Sequence, residues 1–62
     1  MDENNYTVVG INGFRRGGLT RVEADRVASN MRDQMRAAGW RGKVRIYYRD
    51  GKEVASYDPY NE

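Results

Sequence analysis

The sequence predicts an α+β fold in two layers, β-α-β-β, with one helix packed on one face of a three-stranded, partly antiparallel sheet. Three observations carry this. Thr20-Arg21-Val22-Glu23 opens an apolar stripe of helical period. Lys43 to Arg49 alternates with the period of a strand, and Asp50-Gly51 then signals a hairpin into Lys52 to Tyr57. A single domain is expected over residues 6 to 58, between a disordered terminus at 1 to 5 and a tail at 59 to 62.

The first strand is Tyr6 to Ile11, where β-branched and aromatic residues dominate. Val8 and Val9 are adjacent, so its faces are not cleanly separated; Val9 and Ile11 are taken to point inward. Residues 12 to 18 read as a loop by composition. Asn12-Gly13 also suits a tight type I′ turn, which would fold Phe14 and Arg15 back as a short hairpin, with Gly17 and Gly18 breaking any extension.

The helix follows from Arg21 to Ala38. Thr20 and Glu23 form a capping box, and Ala24, Val27, Ala28, Met31, Met35 and Ala38 make one apolar stripe. Gly39 stands where a left-handed residue closes the helix, with Trp40 expected to pack back on Met35 in a Schellman arrangement.

In the next strand Val44, Ile46 and Tyr48 share one face, and Lys43, Arg45, Tyr47 and Arg49 the other. A two-residue Asp50-Gly51 turn would set Arg49 against Lys52. A three-residue loop instead sets Glu53 opposite Tyr47 and Val54 opposite Ile46, which avoids opposed like charges and keeps Val54 inward. Asp58-Pro59 ends the last strand, because proline has no donor for the ladder. Were the first two strands parallel neighbours, their helical crossover would be right-handed.

At 62 residues with no Cys and no His, neither a disulfide nor a structural zinc site can reinforce a thin core. Good packing or a homodimer must do so. The lack of Cys, and an acidic, polar start without a signal-peptide pattern, point to a reducing, cytoplasmic setting; no apolar run is long enough to span a membrane. Residues 6 to 57 hold all 11 basic residues against 5 of the 9 acidic ones, a balance of +6, and nine of the eleven are Arg. Arg suits bidentate contact with phosphate or carboxylate.

Catalysis is poorly supplied. No imidazole or thiol is present, and no carboxylate pair is placed for acid-base work. No metal or cofactor is expected. Gly13 to Thr20 overlaps a phosphate-loop pattern, but Leu19 stands where the lysine belongs. Arg15 and Arg16 could still hold one phosphate beside the helix N-terminus, although two solvated side chains are the simpler reading. Both signs of charge on the outer helix face, Asp25 and Asp33 among them, argue against a DNA-reading helix.

The expected contact surface is the uncovered sheet face: Arg45, Tyr47, Arg49 and Tyr57, with Arg15 and Arg16 at the rim. Interleaved Arg and Tyr suit protein hot spots and also single-stranded nucleic acid. The aromatic-basic signature of RNA-binding sheet platforms is absent. An unpaired sheet edge offers strand addition as another route. In organisation, a small, Arg-rich chain without catalytic parts resembles the inhibitors of phages and mobile elements, such as anti-CRISPR proteins and host-polymerase inhibitors. That resemblance implies stoichiometric association with a protein or ribonucleoprotein complex; the alternative is a weakly sequence-specific nucleic-acid-binding module.

Overall fold

The computed structural model describes residues 4 to 60. The order is β1 (Tyr6–Val9), β2 (Arg15–Leu19), α1 (Arg21–Ala38), β3 (Val44–Tyr48) and β4 (Glu53–Tyr57). One helix packs on an antiparallel sheet, but the sheet has four strands, in the order β2-β1-β3-β4. Of the terminus expected at residues 1 to 5, the first three lie outside the described residues.

The fourth strand is the segment expected to be a loop. Asn12 and Gly13 both adopt positive φ, 56° and 79°, as a primed turn requires, and Phe14 N donates to Ile11 O at 3.0 Å. The chain then runs back along β1 to Leu19. Gly17 and Gly18 do not stop it: together they oppose Thr7, and the extra residue is absorbed as a bulge between the Tyr6–Leu19 and Val8–Arg16 pairs. This added reversal also settles the strand relation left open by the sequence. With β2 inserted before the helix, α1 returns the chain so that β3 runs antiparallel to β1, and no parallel crossover exists between them.

The helix spans the predicted residues. Thr20 Oγ1 accepts from Glu23 N at 3.1 Å, and Thr20 N donates to Glu23 Oε1 at 2.9 Å. At the other end Trp40 N donates to Met35 O at 2.8 Å and Gly39 N to Arg36 O at 3.2 Å, a Schellman pair. Only the backbone of Trp40 serves the cap; its side chain is 47% exposed instead of packing into the core. Ala38, expected on the stripe, is exposed too.

Small Ala24 and Ala28 let the helix approach the sheet, while Met31 and Met35 fill the space against Val8, Val44 and Ile46. Val8, wholly buried, is therefore the inward residue of β1; Val9 lies on the other face. Ile11 does pack against this core. The β3–β4 loop has the expected three residues, with Gly51 N donating to Tyr48 O and Glu53 opposite Tyr47. Val54 does not meet Ile46. A bulge expels it to 40% exposure, and Ala55 takes its place. Pro59 and Tyr60, read as tail, pack on the helix: Pro59 is buried, Arg36 Nε donates to its carbonyl at 2.8 Å, and the Tyr60 hydroxyl donates to Met35 O.

Hydrogen bonds from Thr20, backbone first and then hydroxyl, hold the Glu23 carboxyl below its usual value of 4.5, helped by Arg16 and Arg26. A carboxylate with a depressed folded-state value stabilises the fold fully above its unfolded value and loses that contribution as pH falls through the folded one. Glu23→Gln, which can still reach back to the cap, is thus expected to flatten the loss of stability below about pH 4.5. Urea titrations of both proteins across that range measure it, and parallel pH profiles would remove Glu23 as a source of acid sensitivity.

Candidate binding face

With a single helix, only one face of the sheet is covered among the described residues. The other face is built in cross-strand rows. Arg15, Val9, Arg45 and Ser56 form one row, and Thr7, Tyr47 and Glu53 the next. Neighbouring strands stand about 4.8 Å apart and alternate residues along a strand about 6.8 Å apart. Arg15 and Arg45 therefore flank Val9 at about 10 Å from each other. Tyr47 stands one pleat further along β3 from Arg45.

Thr7, Val9, Arg15 and Tyr47, with Tyr48, Arg49 and Gly51 at one end, line a hollow of about 370 Å³. No carboxylate among the described residues lines it. Glu53 is nearest in the sheet, and its Oε1 lies 3.6 Å from Arg45 Nε, with both side chains about half exposed (45% and 49%). An ion pair so exposed contributes about 0–1 kcal/mol.

The rest of the Arg and Tyr inventory is largely engaged internally. Arg21 lies over the Tyr6 ring, Arg32 over Tyr57, Arg41 over Tyr60 and Arg49 over Tyr48, each within 6 Å of the centroid. Tyr6 also meets Tyr48 edge-on at 5.3 Å. Arg36 is bound to Pro59 O, and Arg16 and Arg26 lie in the field of Glu23. Among the described residues, Tyr47 is the tyrosine with no arginine over its ring, and Arg15 is the arginine with no described partner. Both line the same hollow.

The six predicted site residues thus divide. Arg45, Tyr47 and Arg15 share the open face, and Arg49 closes its end from the loop. Arg16 does not accompany Arg15: alternation along β2 sends it to the helix side, where it borders hollows with Phe14, Val27 and Asn30. Strand geometry at residues 15 to 19 also removes the phosphate-holding loop considered for this pair. Tyr57 pairs with Val44 and packs against the core, beneath the helix. Its hydroxyl donates to Asp25 Oδ1 at 3.2 Å, and burial, then the Asp25 charge, pushes its pKa up. Asp25 is accordingly half-buried instead of lying on the outer helix face.

Sequence reasoning placed Trp40 in the core and so missed the α1–β3 loop. There Arg41, Gly42, Lys43, Asp58 and Tyr60 border another hollow, with Trp40 exposed just before it.

Every described carboxylate has a structural partner. Glu23 caps the helix, Asp25 holds Arg21 and Tyr57, and Asp33 holds Arg32. Asp50 and Asp58 accept from turn amides, and Glu53 meets Arg45. No group of three metal-ligating side chains occurs among the described residues, and no helix among them is long and apolar enough to cross a membrane. The two sheet edges, β2 and β4, each carry a bulge, a device that blunts pairing with another strand. No protein-family model matches the chain, and comparisons with curated proteins and with solved structures return no significant match.

Proposed function

We propose that the protein is a small, non-catalytic binding module that associates stoichiometrically with a protein or nucleoprotein complex through the open face of its sheet. One observation carries this: Tyr47 and Arg15, the tyrosine and arginine left out of the pairings among the described residues, line one hollow on the uncovered face. Tyr and Arg are the side chains that most often anchor interfaces. The commitment of every described carboxylate to a cap, turn or ion pair supports a role without chemistry. The bulged edges favour contact through the face over strand addition. Occlusion of a larger assembly, the mode of the small phage-borne inhibitors that the chain resembles in organisation, needs no more than such a face.

A photo-crosslinking residue introduced at Ser56, on the open face, is expected to capture a partner, and the same residue at exposed Val22 on the helix is not. Combining Tyr47→Ala with Arg45→Ala should weaken capture by about thirtyfold or more, the loss typical of interface anchors. Equal capture from both positions, unaffected by the double substitution, would move the site off the sheet.

A further inference from the structure

We infer that the occupant of this face is a single-stranded segment of nucleic acid, held as a base against Tyr47 and Val9 with its phosphates on Arg15 and Arg45. The inference rests on the reading of the open face as the contact surface and names what that surface recognises. The chemistry of the lining selects it. The hollow offers arginine side chains, hydroxyls from Thr7 and Tyr47, and an apolar floor at Val9, without a carboxylate among the described residues. An acidic side chain of a protein would satisfy a guanidinium but leave the ring and the valine uncovered. A nucleotide uses both, because it joins an anion to a flat apolar body.

The spacing agrees. Arg15 and Arg45 stand on either side of Val9 in one row, with Tyr47 in the next, so two cations bracket one stacking platform. Arg49 adds a third cation at the end of the hollow. Stacking requires an unpaired base, which favours a single strand over a duplex. A second copy of this chain is a poor occupant, since face-to-face docking would set Arg15, Arg45 and Arg49 against their own kind. Glu53 tunes the site. Its exposed pairing with Arg45 is weak enough for a phosphate to displace, yet its charge repels that phosphate.

The full chain should be titrated with a fluorescent twelve-nucleotide single strand, with a duplex of the same sequence, and with an abasic strand carrying the same phosphates. The single strand is expected to bind at low salt with a log–log salt slope of about −2, as three phosphate contacts at about 0.7 each imply. Loss of the bases should weaken binding at least about fivefold. The duplex should bind more weakly than the single strand. Arg15→Gln, at an exposed position that spares the core, should weaken binding about threefold or more. Glu53→Gln should tighten it about two- to fivefold by removing the repulsion.

Absence of binding at low salt overturns the inference, as does equal affinity for the abasic strand or indifference to both Arg15→Gln and Glu53→Gln. If in that event a crosslinker at Ser56 still captures a protein, the face remains the contact surface and only the occupant is wrong. If Ser56 and Val22 crosslink alike, the reading of the face itself fails.

Discussion

Val8→Asp is expected to abolish the cooperative thermal transition of the domain, while Val9→Asp leaves the melting temperature within about 5 °C of the original. The two residues are adjacent and identical, and they differ only in which side of the sheet they occupy. Val8 is wholly buried between the helix and the sheet, opposite Ile46. An ionised carboxylate there loses its hydration, at a cost of several kcal/mol even after relaxation. A domain of this size has about 3–9 kcal/mol to lose. Arg16 is the cross-strand partner of Val8 on β2, but it is exposed on an edge strand and would have to enter a dry layer to compensate. Ile46→Asp provides the control: its direct partners are Val8 and Ala55, with no cation opposite, and it should fail in the same way. Val9, in contrast, stands between Arg15 and Arg45 on the open face, where an aspartate gains two opposite charges. Circular dichroism melts of the three variants decide it. A cooperative Val8→Asp melt near the wild-type temperature would show that this side of β1 is not the core.

That pair also marks where the sequence stops being readable. The helix was legible to its ends because its signals are local: Thr20 with Glu23 three residues on, and Gly39 with Trp40 immediately after the last turn. The three-residue β3–β4 loop was legible for the same reason, since like charges at Arg49 and Lys52 oppose the shorter turn. The second strand was not. Arg15-Arg16-Gly17-Gly18 has poor strand propensity, and what holds it extended is pairing with β1 and a bulge that absorbs the surplus glycine. Missing one reversal also left the direction of β3 against β1 open. The parity of Val8 and Val9 had no local signal, and neither did the bulge that expels Val54. On the binding face, alternation along β3 correctly grouped Arg45 with Tyr47, but Tyr57 was misplaced because the β4 bulge resets the alternation before it. The distinction that matters most for the site was the least accessible. Which arginines and tyrosines are free depends on stackings such as Arg21 on Tyr6 and Arg32 on Tyr57, between residues brought together only by the tertiary fold.

Gly42→Ala should reduce stability by about 2–6 kcal/mol, a large part of what the domain has. Two separate costs combine. Gly42 has φ 136°, a conformation that side chains with a Cβ rarely adopt, worth about 1–3 kcal/mol. A Cβ there would also collide with Cγ2 of Ile11, which sits partly buried against the core with Met35 close behind. Overpacking of this kind costs about 1–3 kcal/mol more. The costs separate in a double-mutant cycle with Ile11→Ala. Removing the methyl relieves the collision but not the backbone strain, so the pair should show a favourable coupling of about 1–2 kcal/mol while the double variant stays less stable than Ile11→Ala alone. Urea midpoints at unchanged m-value provide the measurement. Complete rescue by Ile11→Ala would assign the whole effect to packing, and a Gly42→Ala loss below about 0.5 kcal/mol would mean that the connection relaxes. The consequence reaches the proposed site, because Gly42 lies in the connection between α1 and β3, two residues before the strand on which Arg45 and Tyr47 face outward. In the folded fraction of Gly42→Ala, affinity for a single strand should be preserved if β3 keeps its register. It should fall with the Arg45–Tyr47 row if the strain is released by a slip, since a shift of one residue turns every side chain of a strand to the opposite face.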